Sequence, residues 1–133
     1  MPAQRTRLLQ FAVAIGGLVP VGAGLAGVLL GPRMADDMAA GLGGAMSLDS
    51  HFRYLSGLLL GIGLAFWSLI PDIAARGPAF RLLTALVVTG GLGRLLGLML
   101  AGTPSPPMLF GLAMELVVTP LLCLWQSRVA ARG

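Results

Sequence analysis

The sequence predicts an all-α polytopic membrane protein, a bundle of four transmembrane helices with both termini in the cytoplasm. Three observations lead there. The 133-residue chain is 56% apolar and only 11% charged, with a mean hydropathy of +0.89, whereas soluble domains carry about a quarter charged residues. A chain this short cannot bury so much apolar surface inside itself, so the surplus calls for lipid as solvent. The apolar residues also fall into four runs of the length that a bilayer core of about 30 Å requires. Finally, the arginines between those runs are distributed unequally. One membrane domain, residues 1–133, is the natural count.

The first run extends from about Leu8 to Leu30. Arg5 and Arg7 precede it, the order found in secretory signals, but the run is longer than the roughly 7–15 residues of a signal core. The expectation is an uncleaved span. Pro20 falls inside it, cannot donate to the Gly16 carbonyl and predicts a kink. The second run is Phe52 to Ile70, the third Leu82 to Ala101 and the fourth Met108 to Trp125, with Pro120 predicting a second kink. Gly and Pro are tolerated in such helices because neighbouring helices satisfy the freed backbone groups.

The connections differ in character. Residues 31–50 form the longest loop. Pro32 is placed to begin a short helix, Met34–Ala40 offers an amphipathic turn or two at the interface, and Gly41, Gly43 and Gly44 end it. Ser47 or Asp49 is placed to cap the second span. Residues 71–80 hold Pro71, Gly77 and Pro78 and read as a turn-rich connection. Residues 102–107, Gly-Thr-Pro-Ser-Pro-Pro, are short and stiff, so the third and fourth helices must be antiparallel neighbours.

All nine basic residues are Arg. With four spans, Arg5, Arg7, Arg76, Arg81, Arg128 and Arg132 share one side, against Arg33 and Arg53 on the other. The excess of positive charge marks the cytoplasmic side of short loops. Asp36, Asp37, Asp49 and His51 then face outward, and Trp67 and Trp125 lie toward the cytoplasmic ends as interfacial anchors. The arginines flank apolar runs and form no patch interleaved with aromatics, which argues against nucleic acid. Cys123 is the single cysteine and sits in an apolar run, the setting of a buried structural thiol. Zinc and iron–sulfur ligand sets are missing, so no metal or cofactor is expected.

Arg94 and Glu115 lie inside the third and fourth runs. A lone charge at the bilayer centre costs at least about 2.5–3.5 kcal/mol, so it faces protein or water and takes a partner. The two residues are equidistant in sequence from the middle of the 102–107 connection. On antiparallel helices they sit at the same depth, roughly 10 Å below the outer boundary at ~1.5 Å rise per residue, which predicts an ion pair. Small residues at spacings of three and four mark helix-packing faces: Gly57, Gly61 and Ala65 below Arg53, Gly90 and Gly97 around Arg94, and Gly111 with Thr119 around Glu115. Arg53 begins the second span. It can reach inward toward Glu115 or outward to lipid phosphate, with His51, Tyr54 and Asp49 beside it as a candidate ligand or partner site.

Around Asp49-Ser50-His51-Phe52-Arg53-Tyr54-Leu55-Ser56-Gly57, Gly90-Gly91-Leu92-Gly93-Arg94 and Met114-Glu115-Leu116, the chain resembles a family of small bacterial membrane proteins catalogued as a four-helix domain of unknown function, similar in layout to the DoxX-like proteins. The resemblance runs from the first span to the fourth. It implies that Arg53, Arg94 and Glu115 are family features, that the setting is a bacterial inner (plasma) membrane, and that the chain partners a membrane redox system. It supplies no catalytic residue.

Three function classes follow. An accessory or structural subunit would pair with another membrane protein or with itself, using the buried Arg94–Glu115 pair to fix helix register. A binder or carrier of a small ligand or lipid headgroup would use Arg53, Arg94 and Glu115 from the outer side. An enzyme would need a nucleophile, metal or acid–base pair, and none stands at adequate spacing.

Overall fold

The computed structural model describes residues 2–34 and 46–132, and all the regular structure in them is helical. Four helices follow one another: α1 (Pro2–Leu30), α2 (Met46–Ser68), α3 (Gly77–Ala101) and α4 (Pro106–Ala130). A 3-10 turn, Gly31–Met34, follows α1 and contains Pro32. The expected interfacial helix at Met34–Ala40 and its glycine stop lie outside the described residues beyond Met34.

The helices begin earlier than the apolar runs. Hydropathy locates the part of a helix that lipid covers, while proline and polar residues start the helix itself. Thus α1 takes in Gln4 to Arg7, and α3 starts at Gly77 with Pro78 in its first turn, the position where a missing N–H costs nothing. Pro106 and Pro107 open α4 in the same way. Helix α2 runs from Met46 and holds Asp49 inside its first turn, so Asp49 does not cap it; the Ser47 side chain lies outside what the structure describes. Asp49 instead accepts from Arg53 one turn later.

Among the described residues three helices are long and apolar enough to cross a membrane: α1 from Ala3, α3 and α4. Helix α2 is not among them. Asp49, His51 and Arg53 occupy its first two turns and Ser68 ends it, which leaves a short apolar stretch.

The chain divides into two compact units, Met1–Val13 with Leu69–Gly133, and Ala14–Ser68. In the first unit α3 and α4 run antiparallel. Gly77 lies beside Gln126, and Gly91 beside Glu115 and Leu116. The densest part is at the end where α3 begins and α4 finishes. Leu9, Ile73 and Phe80 are almost fully buried there, with Val129 beside them in the core. Two amides tie the 69–76 segment into this end: Gln10 Nε2 donates to the Ile70 carbonyl at 2.8 Å, and the fully buried Gln126 donates through Nε2 to the Ile73 carbonyl at 2.9 Å. Toward the other end of the unit the apolar side chains point outward, with Met99 75% and Leu100 78% exposed. Large exposed apolar faces are a liability in water and ordinary in lipid.

In the second unit the C-terminal part of α1 packs antiparallel on α2. Gly24 meets the backbone of α2 so closely that a Cβ there would stand 2.5 Å from Leu60 N and 2.8 Å from the Ser56 carbonyl oxygen. Gly63 does the same from α2, with Val21 Cγ2 at 2.7 Å and Pro20 Cγ at 3.2 Å from its absent Cβ. Gly17 makes room for the Trp67 indole, whose Nε1–H donates to the Ala14 carbonyl at 3.1 Å. Helix α1 continues through Pro20, and the proline ring packs toward Gly63.

Candidate functional site

Arg94 lies on α3 two turns before its end, and Glu115 lies two turns into α4. The connection between the helices is four residues long, 102–105, with Gly102 at φ +102° where a side chain would be strained. So short a link brings the two helices alongside each other. Arg94 Nε donates to Glu115 Oε2 at 3.0 Å, and Arg94 Nη2 donates to Oε1 at 3.0 Å. This is the two-pronged guanidinium–carboxylate geometry, stronger and more directional than a point-charge pair. Nη1 donates to Met108 Sδ at 3.0 Å. Met108, Gly111 and Glu115 recur at helical spacing and form one face of α4. Gly111 leaves the guanidinium in ordinary contact, since its absent Cβ would lie 3.7 Å from Arg94 Cζ. The Arg94 side chain is 32% exposed and that of Glu115 15%. The pair therefore sits at the edge of the helix interface, not sealed within it.

The backbone around Glu115 is unusual. Residues Met114–Val118 form a π turn, where the Thr119 N–H reaches back to the Met114 carbonyl and Thr119 Oγ1 donates to the same oxygen at 2.8 Å. Pro120 accounts for it. Proline has no N–H for the Leu116 carbonyl, and its ring crowds that oxygen in a regular α-helix. Widening the preceding turn relieves the crowding. The expected kink at Pro120 is thus expressed as a π turn carrying the acid of the pair, and such turns recur at functional sites.

The close approach that lets α4 meet α3 is at Gly91, one residue from the expected stripe. A Cβ there would lie 2.8 Å from Leu116 Cδ2 and 2.9 Å from Glu115 Cβ. At Gly90, Gly97 and Gly61 nothing among the described residues lies within 4 Å of a would-be Cβ, and Gly57 makes only an ordinary contact, 3.8 Å to Val28 Cγ2. The closest approaches between helices are at Gly17, Gly24, Gly63 and Gly91, while Gly111 and Gly57 of the expected set make ordinary contacts. Spacing identifies a stripe, but one residue along a helix rotates the face by about 100°, so spacing alone does not say which stripe is turned to a neighbour.

Arg53 forms a separate constellation. Its Nε donates to Asp49 Oδ2 at 2.8 Å and its Nη2 to Asp49 Oδ1 at 3.3 Å. Nη1 donates to the carbonyls of Val28 at 2.7 Å and Leu29 at 3.2 Å. These are end carbonyls of α1, which lack intrahelical donors. Arg53 is a side-chain cap on the end of α1, oriented by Asp49. Gly31 permits it by turning the chain at φ +62°, and a Cβ there would stand 2.7 Å from Arg53 Nη2. Four of the five guanidinium N–H groups are engaged in this way. His51 and Tyr54 are exposed on the same helix, and no hydrogen bond or ion pair among the described residues draws them into the Arg53 network.

Sequence reasoning passed over Gln10, Gln126 and Met108. The glutamines carried a signal: each is an amide set in an apolar run, and a polar group there needs a partner. The Met108 sulfur carried none.

The chain belongs to the family described as domain of unknown function DUF4345, whose model matches residues 8–126. No curated protein and no solved structure matches it.

Proposed function

We propose that this family member is a multi-pass protein of the bacterial inner membrane, crossing it four times with both ends in the cytoplasm, and that it serves as an accessory or structural subunit of a membrane complex. One observation carries the subunit reading: several long polar side chains, Arg94, Arg53, Gln10, Gln126 and Trp67 among them, tie separate segments of the chain together. Arg94 is held by Glu115. Arg53 is held by Asp49 and two carbonyls of α1. Gln10, Gln126 and Trp67 each donate to a main-chain carbonyl far away in sequence. Such a chain presents a stiff scaffold to its surroundings.

The fourth crossing is supported by continuity. Gln10 is bonded to Ile70, so the chain leaves this point along α1 and is back at it 60 residues later. Residues 10 to 30 rise about 30 Å as a helix, and α2 is the element that returns. The six-to-two arginine bias supports the cytoplasmic placement of the termini. A partner that is an oxidoreductase is the version of this reading implied by the DoxX-like layout.

Recovery from native membranes tests it. The tagged chain should co-purify with a second membrane protein or a second copy in stoichiometric amount, and recovery as a free monomer alone counts against it. A second reading, a small-ligand or headgroup binder at Arg94 and Glu115, is favoured by the π turn and by the two Arg94 N–H groups that have no acceptor among the described residues. Arg53, with four of its five N–H groups engaged within its own unit, takes no part in this reading.

A further inference from the structure

We infer that the end of the protein carrying both termini is a docking surface for anionic phospholipid headgroups. The first unit gathers the start of α1, the 69–76 segment, the start of α3 and the end of α4 around Leu9, Ile73, Phe80 and Val129. The Gln10–Ile70 and Gln126–Ile73 bonds tie the start of α1 and the end of α4 to the 69–76 segment, and Gly77 at the start of α3 lies beside Gln126. Arg5, Arg7, Arg76, Arg81, Arg128 and Arg132 all belong to these four pieces, and all six are exposed. Neither ion pair among the described residues involves any of the six. Asp72 is the only acidic side chain there, the unit's other acid being Glu115, held by Arg94.

The result is an exposed surplus of positive charge on a packed apolar end, and an end of membrane-spanning helices reaches the headgroup layer. The start of α3 adds to the same sign, since its first turn holds no acidic residue and Arg76 forms no side-chain cap. Long arginine side chains set on an apolar body can lay their stems along the chains of the lipid while the guanidinium reaches the headgroup layer. Charge complementarity selects anionic over zwitterionic headgroups, and the spread of the arginines over four pieces of chain selects a lipid surface over a single small anion.

The test titrates the full-length chain, purified in a zwitterionic detergent, with phosphatidylglycerol or phosphatidylcholine and counts retained lipids by native mass spectrometry. Phosphatidylglycerol should be preferred. The preference should weaken with rising salt and fall about fivefold for each arginine neutralised in Arg81→Gln, Arg128→Gln and the Arg76→Gln/Arg81→Gln/Arg128→Gln triple variant. The corresponding triple Lys variant, which keeps the charge, should retain it. Equal retention of the two lipids by the unaltered chain would overturn the inference. So would an unchanged preference in the Gln variants, or its loss in the Lys variant. Inorganic phosphate should displace the lipid no better than chloride at matched ionic strength, and stronger displacement would mark a free-phosphate site instead. The outcome is separable from the subunit reading, because it is measured on the isolated chain.

Discussion

Replacing Glu115 by Leu leaves the Arg94 guanidinium without its two carboxylate bonds, each 3.0 Å long in the structure. An uncompensated arginine at the centre of a bilayer costs about 2.5–3.5 kcal/mol. Arg94 lies about 10 Å from the end of α3 at ~1.5 Å per residue and is 32% exposed, so it can tilt toward the interface and recover part of that. The expected loss is about 1.5–2.5 kcal/mol. Replacing Arg94 and Glu115 together by Leu removes both charges and should restore most of the stability, as apolar replacement of buried ion pairs does. The double-mutant cycle, followed by unfolding in mixed detergent micelles, should give a coupling of about 1–2 kcal/mol, the range of contacting residues. Additive single and double variants would refute the argument that the pair acts as a unit holding α3 against α4.

Gly24→Ala should destabilise the protein by roughly 1–3 kcal/mol, the range of overpacking, because the new Cβ would stand 2.5 Å from a backbone nitrogen; Gly61→Ala, with open space around it, should be neutral or gain about 0.5–1 kcal/mol, both read by thermal unfolding in detergent. Arg53→Lys should lose about 1–2 kcal/mol although it keeps the charge, since an ammonium cannot span Asp49 and two carbonyls at once; hydrogen exchange at the end of α1 should rise accordingly. Gln126→Leu removes the 2.9 Å bond to Ile73 and should expose the 69–76 segment to limited proteolysis.

The number of helices and their approximate centres were legible because hydropathy is a local property of composition, but α2 lacks the apolar length that marks the other three as spans. Helix starts were less so: α3 begins at Gly77 and not near Leu82 because Pro78 starts a helix without being apolar. The level placement of Arg94 and Glu115 could be read from the symmetry of a short connection. The role of Arg53 could not, since it depends on where α1 ends relative to α2, a distance of 25 residues in sequence. The π turn was hidden for a related reason. Pro120 announces a disturbance, but whether a helix kinks or widens is decided by what it packs against, here Gly91 and Arg94. On α2 and α3 the close approaches, Gly63 and Gly91, fall one or two residues from the expected Gly61 and Gly90 for want of the same information. Gly91 and Gly90 are equivalent by composition and differ only in the direction they face.

The topology of the termini tests the account most directly. Helix α2 is the one helix that length and apolarity alone do not mark as a span. Its crossing decides whether the ends lie on the same side or on opposite sides. Accessibility of tags at the two termini and of single cysteines introduced at Ala74 and Thr103, in a variant where Cys123 is replaced, should place both termini and Ala74 in the cytoplasm and Thr103 outside. Termini on opposite sides of the membrane would contradict it.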